Sequence, residues 1–139
     1  MQSLPLLIRL AQRTTDEKKC ELARIGAEVA AADASIRAHD SVAAAEADAA
    51  HHDVATLAAY ANWAGRAMHA RANLVRRRVA LDRSEGAARS ALGSAFADQK
   101  RLELADEARQ REMLLTASRR AESAAEEQYV LGLTRNDRG

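Results

Sequence analysis

Residues 8–36 read IRLAQRTTDEKKCELARIGAEVAAADASI, and one stripe within them decides the fold. Ile8, Ala11, Thr15, Lys18, Leu22, Ile25, Val29, Ala32 and Ile36 recur in strict steps of three and four. Such a repeat averages about 3.5 residues, so the stripe stays on one side of a helix only if that helix supercoils around a partner. The partner expected here is the same chain returning. The spacing therefore predicts an all-α protein: a long two-helix antiparallel coiled-coil hairpin.

Composition agrees. Of 139 residues, 47% are apolar, but 34 of these are alanine, and aromatics make up only 3%. Alanine buries little area, whereas a fully buried Leu or Phe contributes roughly 1.5–3 kcal/mol, so a thick globular core is excluded. Charged residues are 29% with a net charge of +1, which gives no global argument for a nucleic-acid or membrane partner. The one cysteine, Cys20, has no partner for an internal disulfide, which points to a reducing compartment. The apolar start at Leu4–Leu10 is interrupted by Arg9 and is too short for a membrane span; it also lacks the pattern of a signal peptide. A cytoplasmic protein is expected.

Pro5 is the only proline, and it falls in the first helical turn, where its missing N–H costs nothing. Nothing breaks a helix for some fifty residues after it. The Ala43–Ala50 run thins the stripe, and packing resumes one residue out of phase at Val54, Leu57, Ala61, Ala64 and Met68. Asn62 and Gly65 are the turn candidates, because Asn caps helix starts and Gly accepts the left-handed conformation that ends a helix. The expected plan is a single elongated domain, with arm 1 over about 4–60, a tip at about 61–65, arm 2 over about 66–131 and a disordered tail at 132–139. The aromatics Tyr60 and Trp63, with Met68, then lie at the tip. The expected seam is Leu22, Ile25, Val29 and Ile36 against Leu92, Phe96 and Leu102, with Ile36 near Leu92, Val29 near Phe96 or Gln99, Ile25 near Leu102 and Ile8 near Arg119. Arg78, Glu85, Gln99 and Asp106 fall at or beside seam positions in arm 2.

Tests for site chemistry give little. His51 and His52 are adjacent and point about 100° apart on a helix, and although Asp48 and His51 share a face, the sequence has no Glu-x-x-His to complete a carboxylate-bridged metal site. There is no phosphate-binding glycine loop, no nucleophile elbow and no zinc-type cysteine pair. Cys20 beside Lys19 reads as an exposed helix position. No enzyme, cofactor, metal or small-molecule substrate is expected. Between Val54 and Arg83 the chain carries Arg66, Arg71, Arg76, Arg77, Arg78 and Arg83 against Asp82 alone, which makes nucleic-acid binding the main alternative class. Three consecutive arginines spread around a helix instead of lining one face, which argues against it. A generic coiled-coil scaffold, spacer or chaperone is the structural alternative.

Two further stretches carry a resemblance. Ser3-Leu4, Leu7-Ile8-Arg9-Leu10, Arg13, Asp16-Glu17 and Leu22 resemble the opening of the flagellar type III export stalk proteins, the FliJ family. Ala95-Phe96-Ala97-Asp98-Gln99-Lys100-Arg101-Leu102-Glu103, Arg109, Arg111-Glu112, Arg119-Arg120-Ala121-Glu122 and Glu126-Glu127 are similar to that family's second arm. The resemblance implies a non-enzymatic, cytoplasmic stalk peripheral to the flagellar base. It implies a hairpin whose end bearing both termini enters the hexameric export ATPase ring, with other surfaces meeting the export gate protein and the export chaperones. Carried over residue by residue, the ring-facing end is Leu4, Leu7, Ile8, Arg9 and Arg13 on one arm and Arg119, Arg120 and Glu122 on the other; the tip residues Tyr60, Trp63 and Met68 become a possible contact with the gate. The alanine run at 43–50 and the His51-His52 pair depart from the family's pattern.

Overall fold

A computed structural model describes residues 3–138, apart from the side chain of His52. Helix α1 spans Ser3–Ala49, a single 3-10 turn spans Ala50–His52, and helix α2 spans Val54–Asp137. The two long helices pack against each other, and the described residues contain no strand. By its contacts the chain divides into two units, one of residues 13–96 and one combining residues 1–12 with 97–139.

The turn lies within the first of these units and is made by one residue. Asp53 adopts φ −160° and ψ 169°, an extended conformation between two helices. Its carboxylate accepts the Thr56 backbone N–H at 2.7 Å and the Thr56 hydroxyl at 2.7 Å, and its carbonyl accepts the Leu57 N–H at 3.1 Å. The Thr56 N–H, one of the donors left without an intrahelical partner at the start of α2, is thereby satisfied by a side-chain N-cap, and the Leu57 N–H closes the first helical turn. The expected tip at about 61–65 is corrected: α2 runs through Asn62 and Gly65 unbroken, and no described glycine has a positive φ. A side-chain cap, with no need for left-handed backbone, reverses the chain about one helical turn after the alanine run.

The register follows from that turn. Asp40 accepts from Arg71 Nε at 2.7 Å, and Asp33 accepts from Arg78 Nε at 2.7 Å. The two pairs are one heptad apart on both arms and run in opposite directions, the signature of an antiparallel coiled coil. They place Ile36 at the level of Val75. Ile25 shares a shallow groove with Leu81, Ser84, Ala87 and Ala88, so the expected pairings of Ile36 with Leu92 and of Ile25 with Leu102 are displaced by about two heptads.

Burial on α1 follows the stripe read from the sequence. Thr15, Ile25 and Ala32 are buried and Leu22, Val29 and Ile36 half-buried, whereas Lys18 is exposed. The stripe continues through His39, Ala43 and Ala47. On α2 covered positions from Tyr60 to Ala95 follow the same four-three rhythm, through Ala64, Ala67, Leu74, Arg78, Leu81, Glu85, Ala88 and Leu92, with the exposed Arg71 standing at the step between Ala67 and Leu74. Phe96 is a correction: Ala95 occupies the buried position at 8% exposure, while Phe96 is 45% exposed beneath the Lys19 ammonium, 5.1 Å from its ring centre.

In the second unit Leu4, Ile8 and Ala11 are half-buried, as are Gln99, Leu102, Glu103, Asp106 and Arg109. Every residue from Gln110 to Arg138 is exposed. The expected disordered tail is also corrected, because α2 stays helical to Asp137.

Candidate partner-binding surfaces

The longest uncovered surface is the last third of α2. Leu114 is 71% exposed and Leu131 66%, and Met113, Leu115, Tyr129, Val130 and Leu133 are also exposed. At about 100° per residue, Leu114, Ala117, Ala121, Ala124, Gln128 and Leu131 form one stripe in steps of three and four. The seam of α2 that ends at Leu102, Asp106 and Arg109 would, continued in the same rhythm, fall on Met113, Thr116, Arg120, Ser123 and Glu127. The exposed stripe lies one residue later, so one step of three is lengthened to four near Met113 and the phase advances by a single residue. Past that point the face that serves α1 is polar and a different face is apolar.

The ring-facing residues carried over by resemblance divide between the two units. Leu4, Leu7, Ile8 and Arg9, with Arg119, Arg120 and Glu122, belong to the unit that holds both termini, and Arg13 belongs to the other. Leu4 and Ile8 are half-buried, and Leu7, Arg9, Arg13, Arg119, Arg120 and Glu122 are exposed. Arg119 lies in the uncovered stretch, so the expected proximity of Ile8 and Arg119 is replaced by burial that stops at Arg109.

In the unit of residues 13–96, Tyr60 and Trp63 sit in the body of α2 and not at the turn. Their rings are 6.0 Å apart at 33°, and both are half-buried. Met68 is 74% exposed. The turn itself presents Val54, 83% exposed, and Leu57 beside a shallow groove lined by Ala50, His51 and Asp53. Val54 and Leu57 were readable as apolar residues resuming after the alanine run, but the expected tip lay farther along the chain.

The basic stretch is partly committed to holding the arms together. Arg78 pairs with Asp82 and with Asp33, and these carboxylates raise its pKa further. Arg71 holds Asp40 below the usual carboxylate range through their hydrogen bond. Arg76 donates to Asn73. Arg66, Arg76, Arg77 and Arg83 are exposed. Asp53 is likewise held below its ordinary value by the Thr56 N–H and hydroxyl.

His39 is a seam residue that sequence reasoning passed over; it is half-buried three residues after Ile36, with Nδ1 3.8 Å from Asp40. Asp48 and His51 are exposed, and among the described residues no three His, Cys, Asp or Glu side chains come together as a metal site. Cys20 is exposed. No helix among the described residues is long and apolar enough to cross a membrane. No protein-family model, no curated protein and no solved structure matches the chain.

Proposed function

We propose that this chain is a non-enzymatic coiled-coil stalk of the flagellar type III export apparatus. In this reading it acts at the cytoplasmic base of the flagellum, binds the export ATPase ring and assists delivery of substrates and chaperones to the export gate. The observation that supports a partner-dependent role is the uncovered helix from Gln110 to Asp137, with Leu114 and Leu131 both about two-thirds exposed or more. An isolated helix is marginal in water, and its stability in proteins comes from packing an amphipathic face. A helix of this length with an apolar stripe is suited to being clasped. The resemblance of the two terminal stretches to the FliJ family supplies the identity of the clasp.

In the ring complex Arg9, Arg13 and Arg119 supply exposed charge, with Leu4, Leu7 and Ile8 beside them on α1. Such rim charges govern encounter and register with a partner more than raw affinity. The test is co-purification with a flagellar export ATPase. Reversal of Arg9 and Arg13 to Glu is expected to abolish capture and impair motility with helicity unchanged, and reversal of Arg76 and Arg77 to leave capture intact. Tight, salt-dependent binding of labelled DNA or RNA that is lost on reversing Arg76 and Arg77, without ATPase capture, would assign the chain to nucleic acid instead.

A further inference from the structure

The exposed stripe on the end of α2 is palindromic. Read forward it is Leu114, Ala117, Ala121, Ala124, Gln128, Leu131, with steps of three, four, three, four and three; read backward the steps are the same and the residues nearly so. In an antiparallel pair of helices, the two seam positions of one face the opposite seam positions of the other. A two-fold axis between Glu122 and Ser123 then sets Leu114 against Leu131 of a second copy, Ala117 against Gln128, and Ala121 against Ala124. A closed dimer requires such a self-complementary patch, in which the contact of one residue with another is repeated in reverse.

The residues flanking the stripe carry the charge that chooses the orientation. Arg120 and Glu127 lie on the same edge of the stripe, seven residues apart, and both are exposed. Antiparallel pairing brings Arg120 beside Glu127 of the second copy, and the symmetry makes that pair twice. Parallel pairing sets Arg120 beside Ala125 and Glu127 beside Gly132 and makes neither. Flanking charges of this kind set partner choice and orientation in coiled coils. On the other edge Ser118 meets Ala125, both small. With alanine across the centre, the helices can approach at the short end of the usual 8–10 Å interaxial range, and Leu114 and Leu131 close the ends of the seam.

The one-residue phase shift argues against the explanation that this face continues the hairpin seam. Of the continuation positions Met113, Thr116, Arg120, Ser123 and Glu127, only the first is apolar, and all five are exposed. From the phase shift, the palindrome and the charge pattern together, we infer that the final third of α2 is a homodimerisation surface, pairing antiparallel with the same segment of a second copy of this chain. This inference does not rest on the export reading. The two uses compete for the same surface, so a chain clasped by a ring is expected to be single.

Sedimentation of the purified full-length chain over micromolar concentrations tests it without any other component. The wild-type chain is expected to dimerise reversibly. Arg120→Glu and Glu127→Arg should each weaken the dimer about tenfold, since each breaks two flanking pairs and places like charges together. The double variant R120E/E127R exchanges the charges and should return the dissociation constant to within about twofold of wild type. Ala121→Glu, which puts a charge into the seam at a site exposed in the monomer, should abolish the dimer with far-ultraviolet circular dichroism unchanged. A wild-type chain that stays monomeric throughout the range overturns the inference, as does a dimer indifferent to the single reversals. A double variant no tighter than the singles overturns the antiparallel pairing.

Discussion

Helix α2 contains two kinds of surface, and they distribute polarity in opposite ways. Along the stretch paired with α1, one of its two seam positions is held by Ala67, Leu74, Leu81, Ala88, Ala95 and Leu102, while the other carries Arg71, Arg78, Glu85, Leu92, Gln99 and Asp106. Along the uncovered stretch the stripe is Leu114, Ala117, Ala121, Ala124, Gln128 and Leu131. The paired half thus turns more charge toward its partner than the free half's stripe turns toward water. Coverage in this molecule does not follow apolarity. In the paired half, ion pairs fix the register and both helices supply large apolar side chains, Leu22, Ile25, Val29 and Ile36 on α1 and Leu74, Leu81, Leu92 and Leu102 on α2. The free half has an apolar face with no use inside its own chain.

That contrast can be broken most directly at its two extremes. Ile25, 5% exposed, is the largest side chain in the buried apolar seam, and Ile25→Ala is expected to cost about 2–5 kcal/mol in urea unfolding followed by circular dichroism. Leu114→Ala at 71% exposure should leave the monomer's stability unchanged, measured below the concentrations at which copies associate. Equal losses at the two sites would show that the paired and free halves are not energetically distinct.

A smaller gain is expected from filling glycines within the paired arms. A Cβ built at Gly26, Gly86 or Gly93 meets nothing within 4 Å, so these glycines do not serve close approach of the helices. Replacing all three with alanine should stabilise the hairpin by about 1.5–3 kcal/mol in the same urea assay, from helix propensity alone. A loss instead of a gain would mean that the arms approach more closely than the seam described above.

The smallest effect is a pH dependence. Asp40 is held below its ordinary value of 3.8 by Arg71, and Asp53 below the same value by the Thr56 N–H and hydroxyl. Because the folded state binds the proton less readily than the unfolded chain, both contribute stability that is complete above the unfolded value and lost as pH falls through the lower folded one. Thermal midpoints should therefore hold steady from neutral pH down to about 5 and drop as acidity increases through the carboxylate range. Asp40→Asn should lower the neutral-pH midpoint by a few degrees, Asp53→Asn, whose amide oxygen still caps Thr56, should lower it less, and both should flatten the acid limb. A wild-type acid limb no steeper than that of the double variant would remove these two carboxylates from the account.

The sequence made α1 legible because apolar residues hold every stripe position from Leu22 to Ile36, all of them large except Ala32. The turn was not legible from the residues usually consulted. Asn62 and Gly65 carry the turn chemistry of a left-handed reversal, but this chain reverses through an extended aspartate capped by a threonine three residues on. The phase slip between Ala43 and Val54 was the better signal, and it brackets Asp53. A turn about three helical turns earlier than expected displaces every cross-arm partner by about two heptads. The same difference hid the free half of α2, because arms folded about residue 63 have nearly equal lengths and leave nothing over. The cross-arm pairs of Asp33 and Asp40 were not foreseeable until the register was known, although the charges at Arg78 and Glu85 were already visible at seam positions.

The repeated ion pairs make the hairpin resistant to sliding. If one arm slipped past the other by a heptad, one direction would bring Asp40 to Arg78 and set Asp33 against Glu85; the other would bring Asp33 to Arg71 and leave Asp40 facing Ala64. Either displacement keeps one cross-arm pair of two, and the first adds repulsion between carboxylates. Only Ala50–Asp53 separates the helices, so no slack is available to accommodate a slip without unwinding helix. A pull applied to one arm is accordingly handed across to the other as tension at fixed register. In mechanical terms, the paired stretch within residues 13–96 is pinned at two points, so that load entering one helix there is shared with the other.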